Sequence, residues 1–170
     1  MRVRSKWLIW RKKMLNFNKH SDDQFSTGLY DEKTFYTRFT RDLSNARQEV
    51  IIESPFISTK RAIHLYSTLE RLVSRKIKVW IITRQPKLHD EPFASQSEDV
   101  IGQFEQMGIN VLVTKNNHHR KLAIIDRDIL WEGSLNILSQ GHSREIMRRL
   151  QGADHAKQMF GFLKLGKFIN

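Results

Sequence analysis

The run Asn117-His118-His119-Arg120-Lys121-Leu122-Ala123-Ile124-Ile125-Asp126, followed by Glu132-Gly133-Ser134-Leu135-Asn136, decides how this 170-residue chain is read. An apolar segment, a polar Arg127-Asp128 turn and a second apolar segment, Ile129-Leu130-Trp131, running into Gly133 spell a β-hairpin. Side chains alternate along a strand, so His119 and Lys121 share one face, and Ser134 and Asn136 likewise share one. With Arg127-Asp128 as a two-residue loop and Asp126 paired to Ile129, Lys121 falls opposite Ser134 and His119 opposite Asn136. The same alternation sends Asp126 to the other face, where it reads as a structural acid that ties down the turn.

An imidazole, an ammonium, a hydroxyl and an amide gathered on one patch suit attack on a phosphodiester. His119 can serve as nucleophile or proton donor, while Lys121 and Asn136 hold the non-bridging oxygens as charge builds on them. A lone H-x-K carries almost no information, because a single histidine beside a strand is ordinarily a surface or core residue. H-x-K-x4-D followed by G-S-x-N at hairpin distance is far rarer, on the order of one in 10^4 for a chain of this length.

His119, Lys121 and Asp126 match the HKD motif of the phospholipase D superfamily, and Gly133-Ser134-x-Asn136 matches the segment that follows it there. The chain resembles the small single-motif nucleases of that superfamily and the phospholipase D-like modules at the end of some helicases. Residues 129–139 are similar to the latter. The resemblance implies a phospholipase D-like fold and a covalent phosphohistidine formed without a metal or other cofactor. It also implies that Glu145, as the acid following G-S-x-N, reaches the far nitrogen of His119 and fixes its tautomer. A surface acid among arginines is the other reading of Glu145. In-line displacement needs a nucleophile on one side of phosphorus and an acid on the other, yet the chain holds one H-x-K-x4-D. The single-motif relatives answer this by homodimerising. The expectation is therefore a C2 dimer with a composite site, each copy giving His119, Lys121, Ser134, Asn136 and Glu145.

Composition fits a single domain with a real core, at 39% hydrophobic and 28% charged residues. A formal net charge of +11 attracts polyanions, either nucleic acid or an anionic membrane surface. Absence of cysteine excludes disulfides and thiolate metal sites, and no compact Asp/Glu/His cluster suggests a divalent-ion site. No stretch approaches the ~20 apolar residues of a membrane span, and Trp7-Leu8-Ile9-Trp10 is too short for a secretory signal core, so a cytoplasmic protein is expected.

Residues 1–28 read as a basic N-terminal arm: seven basic and no acidic side chains in residues 1–20, interleaved with Trp7, Trp10 and Phe17. It could bind nucleic acid, lie on a membrane surface or pack on the domain. Residues 29–170 then form a single catalytic domain. Asp31 looks like the cap of a helix carrying Phe35, Phe39, Leu43 and Ala46. Val50-Ile51-Ile52-Glu53-Ser54 is a strand stopped by Pro55, and Ser58 or Thr59 opens a helix whose apolar stripe includes Ala62, Ile63, Leu65, Tyr66, Leu69, Leu72 and Val73. Residues 77–83 read as a buried parallel strand, and Ser95-x-x-Glu98 as the capping box of a helix ended by Gly108. Residues 109–114 form the strand that delivers the chain to the hairpin, and residues 153–169 a terminal helix. The alternation argues an α/β fold with a mixed, largely parallel sheet flanked by helices on both faces.

His118 does not share the face of Lys121 and is assigned to substrate contact or solvent. Arg120, Arg144, Arg148 and Arg149 are candidate phosphate-backbone contacts, which position nucleic acid without reading bases. The leading reading is thus a nuclease or other phosphodiesterase, with DNA favoured over RNA. Two alternatives stand beside it: a phospholipid headgroup hydrolase, and a silent nucleic-acid-binding or dimerisation module serving a helicase or restriction partner.

Overall fold

Apolar runs and stripes become, in chain order, β1 (Ser26–Asp31), α1 (Phe35–Ser44), β2 (Glu49–Glu53), α2 (Thr59–Ser74), β3 (Lys78–Arg84), α3 (Phe93–Met107), β4 (Asn110–Thr114), β5 (Leu122–Ile125), β6 (Ile129–Gly133), β7 (Ile146–Gln151) and α4 (Ala153–Phe162). The computed structural model describes residues 26–88, 93–115 and 118–169. The basic residues of 1–20 lie outside that range. Ser26, Thr27 and Gly28, counted by charge with the arm, are the first half of β1 and pair with β7.

The strands form one mixed sheet in the order β1-β7-β6-β5-β2-β3-β4. Parallel pairing is confined to β2–β3 and β3–β4, each joined by a helical crossover; the other four pairings are antiparallel, so the sheet is mixed as expected but not largely parallel. Helices cover both faces, as the alternation predicts. On one side α1, α2 and α3 bury Phe35, Phe39, Leu65, Leu69 and Phe104 against Ile52, Ile81, Ala123 and Trp131. On the other, α4 and the turn after it bring Ala156, Leu165 and Ile169 onto Ile51, Leu122, Ile124 and Leu130. All four residues of β5 are buried, alternating between the two cores. Each large side chain so buried contributes on the order of 1.5–3 kcal/mol.

Several local expectations shift. The first helix starts at Phe35, with Thr34 at its N-cap. Asp31 instead closes the preceding turn, its Oδ1 accepting the Thr34 N–H at 2.9 Å and the Thr34 hydroxyl at 2.6 Å. Helix α3 begins at Phe93, so Ser95 and Glu98 lie inside it rather than boxing its start. Ile63 (66% exposed) leaves the α2 stripe, which is narrower than its composition suggested. The terminal helix stops at Phe162 and resumes as a short 3-10 turn, Leu165–Lys167, after Lys164 adopts φ 54°.

Candidate active site

The hairpin forms, but its turn is one residue longer than expected. Ile125 pairs with Ile129, leaving Asp126, Arg127 and Asp128 as the loop. Asp126 and Arg127 take φ of 53° and 52°, and the Asp128 N–H donates to the Ile125 carbonyl at 3.0 Å. Aspartate tolerates the left-handed region because its short side chain finds hydrogen bonds locally. Here that side chain faces the start of β2. Asp126 Oδ1 accepts the backbone N–H groups of Arg47, Gln48 and Glu49 at 2.7–3.1 Å, and the Asp126 N–H donates to the Glu49 carbonyl at 2.9 Å. The turn is closed by what it grips on β2, which adds a loop residue and shifts the register by one. Lys121 therefore sits beside Gly133, whose N–H donates to the Lys121 carbonyl at 3.2 Å, and not opposite Ser134.

Gly133 is dictated by packing. A Cβ there would stand 2.1 Å from the Ile146 carbonyl oxygen and 2.9 Å from Met147 Cα, so only glycine lets β6 approach β7 this closely. Ser134 then continues onto β7: its N–H donates to the Ile146 carbonyl at 2.9 Å, and its Oγ accepts the Ile146 N–H at 3.1 Å. The segment beyond is pinned by Leu135, Ile137 and Leu138, all buried. Between these anchors Asn136 holds a buried amide oxygen that has no partner among the described residues.

Four chain segments thus meet at one sheet end: the exit of β2, the entry of β5, the exit of β6 and the entry of β7. His119 is exposed, and Lys121 Nζ lies 3.1 Å from its Nδ1 and 2.6 Å from its carbonyl oxygen. An ammonium donating to Nδ1 makes that nitrogen the acceptor, so the proton of a neutral ring sits on Nε2. Partial burial lowers the Lys121 pKa, and the Glu145 carboxylate opposes the shift. Glu145 reaches Lys121 electrostatically and accepts the Ser143 hydroxyl at 2.7 Å; its backbone N–H donates to Glu32 at 3.1 Å. A groove of about 760 Å³ runs from Arg120, Lys121 and Ser134 over Leu29, Ile146, Arg148 and Phe162.

A model of the family described as cardiolipin synthase, phospholipase D-like domain, matches residues 39–161. The chain belongs to the phospholipase D-like superfamily. The fold agrees: NucT from Helicobacter pylori superposes with a TM-score of 0.66 at 21% identity, covering 82% of this chain and 94% of that one. Nuc from Salmonella typhimurium, a phospholipase D family member, gives 0.65 at 15% identity over 82% and 92%. A polyphosphate kinase from Porphyromonas gingivalis gives 0.65 at 14% identity, over 82% of this chain and 26% of the kinase. No curated protein sequence matches the chain.

Two residues of the motif neighbourhood leave the candidate substrate surface. Arg149 is 4% exposed on the face covered by α1, where its Nε donates to Asp42 Oδ2 at 2.6 Å beside the Trp131 Nε1 donation at 3.0 Å. It is a core group, and the alternation of β7 explains why its neighbour Arg148 is exposed instead. The His118 side chain turns inward: it is 7% exposed and its Nδ1 lies 3.3 Å from Glu53 Oε1. Burial lowers the His118 pKa, Glu53 opposing and Arg120 reinforcing the shift. Arg120 donates to the same Glu53 oxygen yet remains half-exposed along the groove, and Arg144 is exposed.

Sequence reading passed over Glu53 and Phe56. The Phe56 ring stands edge-on to the His119 imidazole, centroids 5.8 Å apart, with the Arg84 guanidinium 5.3 Å from the Phe56 ring centre. The one available signal was an acid closing an otherwise apolar strand, Val50-Ile51-Ile52-Glu53, since a carboxylate there must find a cation.

Proposed function

We propose that this chain is a metal-independent phosphodiesterase that cleaves nucleic acid, with DNA the first substrate to try, through a covalent phosphohistidine at a site completed by a second copy. The observation that carries this is the exposed His119 ring with the Lys121 ammonium 3.1 Å from Nδ1, at the sheet end where Ser134 and Glu145 also arrive. Similarity in fold to NucT and Nuc supports it, as does the net charge of +11. In this reading the Lys121 ammonium meets the charge on the non-bridging oxygens and the Asn136 amide donates to them.

His119 Nε2 attacks phosphorus in line, the P–N bond forming as the bond to the leaving oxygen breaks. The partner subunit's His119 gives its proton to that oxygen. The same ring then takes a proton from water, whose oxygen attacks phosphorus and releases His119. The two rings need different protonation states. The ring that protonates the leaving oxygen is an imidazolium, protonated on both nitrogens, so Lys121, which lies 3.1 Å from Nδ1 in the free chain, must release that nitrogen in this ring too. The attacking ring needs a bare Nε2, which follows when Lys121 turns to a phosphate oxygen and Glu145 accepts from Nδ1–H.

The test is one gel: circular and linear DNA and RNA with wild type and His119→Ala, with and without EDTA, beside a sedimentation measurement. The expected result is cleavage that survives EDTA, a loss of about 10^4-fold or more in His119→Ala, and a dimer. EDTA-sensitive cleavage by a metal-free preparation, or full activity in a strict monomer, would sink the mechanism.

The groove favours one second reading. Its Leu122, Ile146, Met159, Phe162 and Leu163 make an apolar bed rimmed by Arg120, Lys121 and Arg148, a surface that suits an acyl chain below an anionic headgroup. Headgroup release from anionic phospholipid vesicles, without nicking of DNA, would establish that reading in place of the first.

A further inference from the structure

Glu53 has no exposed surface, and the chemistry above does not use it. A buried carboxylate is costly unless cations and donors surround it. Its partners all converge on one oxygen. Glu53 Oε1 lies 2.8 Å from Arg120 Nε and 2.7 Å from Arg120 Nη2; His118 Nδ1 stands 3.3 Å from the same oxygen without hydrogen-bond geometry, and Oε2 is buried with no partner among the described residues.

Residues 118 and 120 flank His119. In extended chain, neighbours point to opposite sides, so two side chains drawn inward to one carboxylate push the ring between them outward. The exposures agree for His118, whose side chain is 7% exposed beside an exposed His119; Arg120 keeps about half of its side chain in solvent while its Nε and Nη2 turn in to Glu53. The residues after Glu53 brace the rest of the site. Ser54 Oγ accepts the Leu138 N–H at 3.2 Å and donates to the Phe56 carbonyl at 3.0 Å, and the Ser58 N–H donates to the Leu138 carbonyl at 2.8 Å. Phe56 supplies the ring edge against His119. The end of β2 therefore grips the chain before His119, after it and, through Leu138, beyond Asn136.

We propose that Glu53 is a positioning residue: by clamping His118 and Arg120 it fixes the direction in which the His119 ring leaves the sheet. The proposal rests on the reading of His119 as the attacking group. Glu53 touches no reacting atom, so its loss changes aim and not the composition of the site. A misplacement of about 1 Å at a reacting atom lowers turnover by about 10^2-fold. The other charged group at this corner, Arg84 at the end of β3, stacks over Phe56 and does not replace the carboxylate.

The experiment compares full-length wild type, Glu53→Gln and Arg120→Met, with Arg120→Lys as the charge-keeping control. Cleavage of an oligonucleotide gives kcat and KM, and NMR of the histidine rings, assigned with His119→Gln, reports the His119 environment. Glu53→Gln is expected to lower kcat by about 10- to 100-fold with KM within about twofold. The His119 ring signals should move in both Glu53→Gln and Arg120→Met, although that residue is unaltered, and Arg120→Lys should recover part of the loss. Unchanged ring signals together with unchanged kcat overturn the clamp. If Glu53→Gln fails to fold, Arg120→Met, whose side chain is half-exposed, decides the matter. If wild type cleaves nothing, the catalytic reading fails, and the ring signals alone still judge the clamp: moved supports it, unmoved ends it.

Discussion

Strand β5 carries a polar cluster at each end, and the two are finished differently. At the Asp126 end, Oδ1 collects three backbone N–H groups, and Glu49 holds the Arg127 guanidinium with both of its oxygens. At the His119 end, Glu53 holds Arg120 with one oxygen and has His118 Nδ1 3.3 Å from it, His119 is exposed, and the Asn136 amide oxygen has no partner among the described residues. Both ends use the same device, a glutamate terminating β2 that pairs with an arginine flanking β5. One end is satisfied and sets register; at the other, Asn136 Oδ1 and Glu53 Oε2 are left without partners among the described residues. The H-x-K-x4-D pattern is therefore two units, a chemical one and a structural one, joined by four buried residues.

Substitutions should separate these units. The largest effect is the loss of cleavage in His119→Ala, which should leave the melting temperature within a few degrees of wild type because the ring is exposed. Next is the pair on β7. Arg149→Met removes the buried cation from Asp42, leaving it Trp131 and the partly exposed Arg38, and should cost about 3 kcal/mol in denaturant unfolding. Arg148→Ala, one residue away and exposed along the groove on the opposite face, should change stability by less than about 0.5 kcal/mol and reduce the salt slope of DNA binding by about 1. Equal destabilisation by the two would contradict the assigned faces.

At the structural end, Asp126→Ala removes the acceptor for three amides and leaves a left-handed residue without its compensation, at a cost of about 2–3 kcal/mol. Asp126→Asn should recover about half, since it keeps an oxygen acceptor and tolerates that conformation. Turnover per folded molecule should stay within a few-fold of wild type in both; a collapse of turnover in a folded Asp126→Asn protein would erase the division between the ends.

The smallest effect concerns pH. His118 titrates below the ordinary histidine value of 6.5 because it is buried. Between the two values the unfolded chain binds the additional proton, so this contribution to stability is complete above 6.5 and is lost as pH falls through the folded value. Melting temperature should drop more on acidification in wild type than in His118→Gln, and parallel curves would show that His118 does not report on the buried corner.

Much of this was legible in one dimension. Apolar periodicity revealed β2 to β6 and the helices, while β1 began inside what charge assigned to the arm and β7 has no clean period; the H-x-K-x4-D spacing marked the β5–β6 hairpin. The register was not legible, because the loop length depends on Asp126 reaching amides of residues 47–49, nearly eighty positions earlier. Nor could the sequence separate Arg148 from Arg149 or His118 from His119. In each pair adjacent residues of the same type receive opposite fates from the alternation of an extended chain and from a distant carboxylate, Asp42 or Glu53.

Residue order by itself determined the chemistry available: an imidazole and an ammonium two positions apart, an amide and a hydroxyl on the returning strand, a basic chain without thiols. Tertiary structure decided which of those groups face the open end of the sheet and which are consumed inside it. The reason is physical. Local spacing sets which side of a strand a group leaves from, but only packing against remote elements determines whether a buried partner is waiting there to hold it.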